Sequence, residues 1–271
     1  MKRTLALIFF FSIFLNSFFL IAQDNKINRG KITYAVSLSY KKGVPKNYDG
    51  TLFFDDQKSV FVYDKNTNQG EVREERYDGG QSIRVISKGR ITDNIGLIVY
   101  SDFGHGKMVE RNMIQGRPFI IADTLRNIQW TLENGTKEIE GIKCQKAKGT
   151  VHGREYEVWF ATNIPLSYGP WKLQGLPGLI MQANSTDGEI NFEVKSIKQL
   201  ADEEYQIVPP TTGEEIKGYV NFYELQDKKA NEMAKSMQAN MAELKQSGNI
   251  GSTVSAKIRS NVLRPEKSSS F

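Results

Sequence analysis

Apolar and polar residues alternate with a period of two along most of the chain, the signature of strands with one buried face. Across residues 31–40, Ile32, Tyr34, Val36, Leu38 and Tyr40 fall on one side and Thr33, Ala35, Ser37 and Ser39 on the other. Residues 51–54 and 59–63 flank the polar Asp55-Asp56-Gln57-Lys58 and read as a hairpin. Shorter strand candidates lie at 82–87, 97–101, 107–111, 118–121 and 129–133, and 179–183 pairs with 189–195 across Asn184-Ser185-Thr186-Asp187-Gly188. The most informative hairpin joins Ile142–Val151 to Arg154–Ala161. His152-Gly153 fits a two-residue loop, which sets Val151 opposite Arg154, Lys148 opposite Glu157 and Ala147 opposite Val158. One face then carries Ala147, Val151, Tyr156, Val158 and Phe160. The other carries Cys144, Lys146, Lys148, Thr150, Glu155, Glu157 and Trp159, where the large aromatic among charges implies a cover. A helix is predicted at about 219–245, with Phe222, Leu225, Met233, Met237, Met241 and Leu244 as a stripe packed on the sheet. The expected fold is mainly β (α+β): a large antiparallel sheet, curved or closing to a half-barrel, with a C-terminal helix against it.

The ends change the picture. Lys2 and Arg3 precede an apolar run that ends at Ala22 before Gln23-Asp24-Asn25-Lys26, the order of a secretory signal peptide. The alternative is an uncleaved anchor, since the run approaches the ~18 residues that can span a bilayer. Cleavage after Ala22 leaves a single β-rich domain over 23–247 and no membrane span, with 248–271 expected as a flexible, Ser-rich tail. The only cysteine, Cys144, gives neither a lipid-attachment site nor an internal disulfide, so the core must hold an exported domain of this size. The formal net charge of +5 falls by two with Lys2 and Arg3, and the lysines are scattered, which argues against nucleic acid as a partner.

The residues give little chemistry. His105 lies in a loop and His152 at a hairpin tip, neither with a Cys or carboxylate at metal-ligand spacing. The doublets Asp55-Asp56, Glu74-Glu75, Glu203-Glu204 and Glu214-Glu215 read as solvated loops rather than paired acids. No nucleophile elbow, Walker loop or dinucleotide fingerprint is present. Cys144 has no base near it in sequence and reads as a small buried apolar group. No catalytic residue, metal or cofactor is assigned.

Residues 168–180 stand apart. Tyr168-Gly169-Pro170-Trp171 is followed by Gly175-Leu176-Pro177-Gly178-Leu179-Ile180. Pro177 and Gly178 suit the central positions of a type II turn, with Gly178 taking the positive φ. The flanking leucines require that turn to fold back onto protein, with the cover of Trp159 and Cys144 as its expected place. Residues 175–180 spell the signature of the GLPGLI family, an exported family of Gram-negative bacteria. Gly141-Ile142-Lys143-Cys144-Gln145-Lys146-Ala147, Glu157-Val158-Trp159-Phe160, Asn163-Ile164-Pro165 and the Tyr168–Trp171 string also resemble that family. The resemblance implies an envelope location and a β-rich fold; it does not imply an activity. The resulting expectation is an exported, periplasmic or envelope, non-enzymatic binding or accessory protein. Its candidate structural or binding surface comprises Cys144, Trp159, Tyr168, Gly169, Pro170, Trp171, Gly175, Leu176, Pro177, Gly178, Leu179 and Ile180. A peptide, an apolar small molecule or an envelope protein is the expected partner. A carrier of apolar molecules and an enzyme centred on Cys144 are the alternatives.

Overall fold

The computed structural model describes residues 28–39, 45–65, 72–76, 83–87, 92–201 and 204–246. The leader at 1–22, the tail at 248–271, Tyr40 and the start of the 82–87 candidate lie outside the described residues.

Among the described residues, fourteen strands precede one long helix. They are β1 (Gly30–Leu38), β2 (Lys46–Phe54), β3 (Lys58–Tyr63), β4 (Val72–Arg76), β5 (Ile83–Ser87), β6 (Leu97–Asp102), β7 (Lys107–Ile114) and β8 (Arg117–Thr124). Then follow β9 (Trp130–Ile139), β10 (Ile142–Val151), β11 (Arg154–Ala161), β12 (Ile180–Ser185), β13 (Ile190–Gln199), β14 (Glu214–Lys217) and the helix α1 (Gly218–Gln246). Twelve form one sheet in the order β14-β8-β7-β6-β3-β2-β1-β13-β12-β11-β10-β9, while β4 and β5 pair as a separate hairpin. All pairings are antiparallel except β14 with β8, which is parallel. The sheet is therefore mixed rather than purely antiparallel. Glu74-Glu75 lies in β4 and Glu214-Glu215 in β14, so these doublets are strand residues and not loops.

Connectivity forces the sheet to curl. β8 lies one strand from one edge and β9 is the other edge, ten strand spacings apart, or about 48 Å if the sheet were flat. Residues 125–129 join them, a path of about 20 Å when fully extended. The two ends must therefore approach each other, and the inner face becomes the core. Ile32, Tyr34 and Val36 of β1, Phe54 of β2, Phe61 of β3, Ile121 of β8, Val158 of β11 and Phe192 of β13 all belong to it.

The alternation read from the sequence places these residues correctly along β1 and β13. It fails along β3, where Val60, Phe61, Val62 and Tyr63 are all buried. The reason is a second, outer cluster of Val60, Val62, Tyr100 and Ile207, backed by Phe53, Ile98, Val109 and Tyr205. The segment at 204–208 crosses the outside of the sheet there, and Tyr205 stacks on Phe53 with ring centroids 3.6 Å apart.

Among the described residues, helix α1 is buried in its first turns. Tyr219, Phe222 and Tyr223 are buried, whereas Met233 is 46% exposed. Gln115, in the β7–β8 turn, donates from Nε2 to the Lys229 carbonyl at 2.9 Å. Of the apolar stripe expected along the helix, Phe222 and Leu225 pack against the core, Met233 is exposed, and the side chains of Met237, Met241 and Leu244 lie outside the described residues.

Candidate functional site

The β10–β11 hairpin has the expected register, with Val151 opposite Arg154, Lys148 opposite Glu157 and Ala147 opposite Val158. His152 (φ 51) and Gly153 (φ 78) both lie in the left-handed region, the pair of conformations a type I′ turn needs. Two irregularities lie further along the hairpin. The β9–β10 register shifts between Gln145 and Ala147, and the β11–β12 register shifts between Trp159 and Phe160. Alternation breaks at that level, and Cys144 turns inward opposite the buried Ala161 rather than outward beside Trp159. Burial pushes its thiol pKa up, against the opposing pull of Lys137, and Sγ donates to the Ile142 carbonyl at 3.4 Å. A neutral, enclosed thiol is a poor nucleophile.

Trp159 stays on the outer face, half-buried. Its cover is Lys137, whose Nζ lies 4.4 Å above the ring centroid, and not the segment at 175–180.

That segment lies inside the curl. Ala161 N–H donates to the Leu179 carbonyl at 2.8 Å, Leu179 N–H to Ile164 at 3.0 Å, Ile180 N–H to Tyr168 at 3.1 Å and Gly175 N–H to Ser167 at 3.0 Å. The stretch from Ile164 to Ile180 is thus a loop bonded to itself. Side chains tie it to both walls. Tyr34 of β1 donates its hydroxyl to the Ile180 carbonyl at 2.9 Å. Tyr168 donates to the Asp55 carbonyl at 2.7 Å, and burial, with the nearby Asp55 and Asp56 carboxylates, pushes its pKa up to about 12. Trp130 of β9 donates from Nε1 to the Gln174 carbonyl at 2.7 Å. Leu166, Tyr168, Trp171, Leu173, Leu176, Leu179 and Ile180 are all buried, and Pro177 and Gly175 face outward.

The type II turn with a positive φ at Gly178 is not what forms. The left-handed residues are Gly175 (φ 88) and Trp171 (φ 56). Gly178 is required for space: a Cβ there would overlap the Ala161 carbonyl oxygen and lie 3.2 Å from the Phe160 ring. Gly169 is likewise close-packed, with Leu173 O and Ile180 Cδ1 at 2.7 and 2.8 Å from a notional Cβ. Pro170 is buried beside it.

Among the buried charged groups that sequence reasoning missed, one joins the loop to the sheet and the helix. Lys172 and Glu110 have side chains only 4% and 2% exposed, with Nζ and Oε2 2.6 Å apart. Glu110 also accepts from Tyr219 Oη and, at 2.8 Å, from Asn112 Nδ2. Lys172 Nζ lies 3.9 Å over the Tyr219 ring and 5.0 Å from the Trp171 ring centroid. Burial lowers the Lys172 pKa against the pull of Glu110, and burial raises that of Tyr219. His152 reaches this group, 5.9 Å from both the Trp171 and Tyr219 rings, and burial aided by Lys172 pushes its pKa down to about 3. The loop, strand β7 and helix α1 are thus clamped at one point. Polar residues at alternate positions of β7 (Glu110, Asn112) after the apolar Met108 were the available signal, legible only once the strand's inner face is known.

His105 is exposed and bonds the Asp102 carboxylate through Nδ1 at 3.0 Å. Among the described residues no group of three or more His, Cys, Asp or Glu side chains could hold a metal ion, and no helix is long and apolar enough to cross a membrane.

A family profile described as "Protein of unknown function (Porph_ging)" matches residues 148–182, which contain the β11 strand and the buried loop. No curated protein matches the chain. Two solved structures of PNGF-II, in P21 and C2 space groups, are similar at 15% identity with TM-scores of 0.48 and 0.46. They are covered over 74% and 71% of this chain, which spans only 34% and 32% of theirs.

Proposed function

We propose that the chain is an exported, GLPGLI-type envelope protein that works as a non-enzymatic binding or accessory module, engaging a peptide or protein partner on its outer surface. The leader pattern at 1–22 and the family resemblance support export. The observation that carries the binding mode is the filled interior. The concave side of the curled sheet, where a carrier would hold an apolar guest, is occupied by the chain's own residues 164–180. The buried, neutral Cys144 thiol gives the enzyme alternative no reactive group.

Native mass spectrometry of protein purified from the periplasm tests this reading. The expected mass is that of a chain beginning at Gln23, with nothing retained and no response to an added apolar dye. A stoichiometric lipid that survives purification would overturn it in favour of a carrier.

A further inference from the structure

The outer face of the three central strands carries a depression of about 510 Å³. Strand register builds it. Ala35 of β1 lies between Asp49 of β2 and Glu193 of β13, and Ser37 lies between Asn47 and Asn191. Two small side chains form a floor between taller walls, whose Cα atoms stand about 10 Å apart at two strand spacings.

A β-bulge closes one end. The β1–β13 register shifts between Thr33 and Tyr34, where Ser196 and Val194 are the successive partners and Lys195 is the extra residue. Bulges re-aim side chains. Lys195 reaches across β1 to the Asp49 carboxylate, with Nζ 2.9 and 3.0 Å from its oxygens. Asp49 is thereby compensated, and the exposed Glu193 on the opposite wall supplies the trough's net negative charge. Asn191 commits one Nδ2 hydrogen to Asn184 Oδ1 at 2.6 Å, and its own Oδ1 is an acceptor. The trough is therefore rich in acceptors, on a chain whose formal net charge is +5.

We infer that this trough receives an arginine side chain presented by a peptide or protein partner, an assignment that rests on the outer-surface binding proposed above. A guanidinium is planar, carries five donors and no acceptor. It can take Glu193 in a two-point bond while lying flat on the Ala35 floor. A compact ammonium matches the charge and not the shape.

The test is a titration of the ¹⁵N-labelled full chain, lacking only its leader, with acetyl-Gly-Arg-Gly-amide and with its citrulline analogue, which keeps the shape without the charge. Saturating amide shifts are expected at 35–37, 47–49 and 191–193, with at least tenfold weaker binding of the citrulline peptide. Glu193→Gln should weaken arginine binding at least tenfold. Ala35→Leu, which fills the floor from the solvent side, should abolish it without lowering the Tm. Equal response to citrulline, preferential response to a neutral oligosaccharide, shifts confined to other strands, or no shifts would each overturn the assignment. If arginine fails to bind while the native mass spectrum shows an empty chain, the trough is wrong and the outer-surface reading stands. A retained lipid overturns that reading itself.

Discussion

At the scale of single residues, the glycines of the buried loop divide into two physical roles. Gly178 is held by a neighbour in space, so Gly178→Ala would put a methyl 2.0 Å from the Ala161 carbonyl oxygen. A loss of about 3 kcal/mol is expected in urea unfolding, at the upper end of overpacking costs. Gly175 has open space around it and a φ of 88°, so Gly175→Ala should cost only about 1 kcal/mol. A reversed ranking would restore the turn reading. The Lys172–Glu110 pair makes a different prediction. Either Lys172→Met or Glu110→Gln alone leaves a buried charge without its partner and should cost about 3–5 kcal/mol. The double variant should lose less than the sum by at least ~1 kcal/mol in a thermodynamic cycle; strict additivity would contradict the clamp. His152 gives the pH dependence. Its folded pKa of about 3 lies below the 6.5 of the unfolded chain, so between these values the unfolded state binds more protons. Stability is then lost as pH falls from 6.5 towards 3. Allowing for solvent around the half-buried ring, the share is about 2 kcal/mol. His152→Asn keeps the left-handed turn residue and should be less acid-sensitive than the parent by that amount. Of these residues, Gly178 was legible as special but for the wrong reason: sequence chemistry sees φ preferences within four residues, whereas the atom that excludes a Cβ belongs to β11.

At the scale of elements, register was legible wherever a short turn fixes it. His152-Gly153 admits one pairing, and the β10–β11 ladder follows it to Cys144. Bulges were not legible, because an extra residue is defined only against a partner strand. That is why Cys144 was placed with Trp159 on the outer face and is found in the core. The same limit hid β14, four residues of a charged segment that become a strand only by lying parallel to β8. The helix stripe was legible as a period, and Phe222 and Leu225 of it pack against the core. Its first turns are anchored by Tyr219, Phe222 and Tyr223, so ending the chain after Ala234 should leave the Tm within about 2 °C. Phe222→Ala should lower stability by about 3–4 kcal/mol, as for a buried phenylalanine. A large Tm loss on truncation would show that the distal helix is part of the packed body.

At the scale of the whole molecule, the fold class was readable from period-two alternation, and the strand order was not. Order is set by which edges meet, and the residues that decide it, such as the five that carry the chain from β8 to β9, look like an ordinary loop. Once the order is known, the curl and the filled interior follow from chain length. The central claim is that residues 164–180 are core, not a lid over a guest. Hydrogen exchange tests it most directly. The amides of Leu173, Gly175, Leu179 and Ile180, all hydrogen-bonded within the loop, should exchange only through global unfolding, with the same denaturant dependence as β1 and β13. Exchange of these amides orders of magnitude faster than the central strands, and insensitive to denaturant, would mark a lid that opens by itself and would contradict the account.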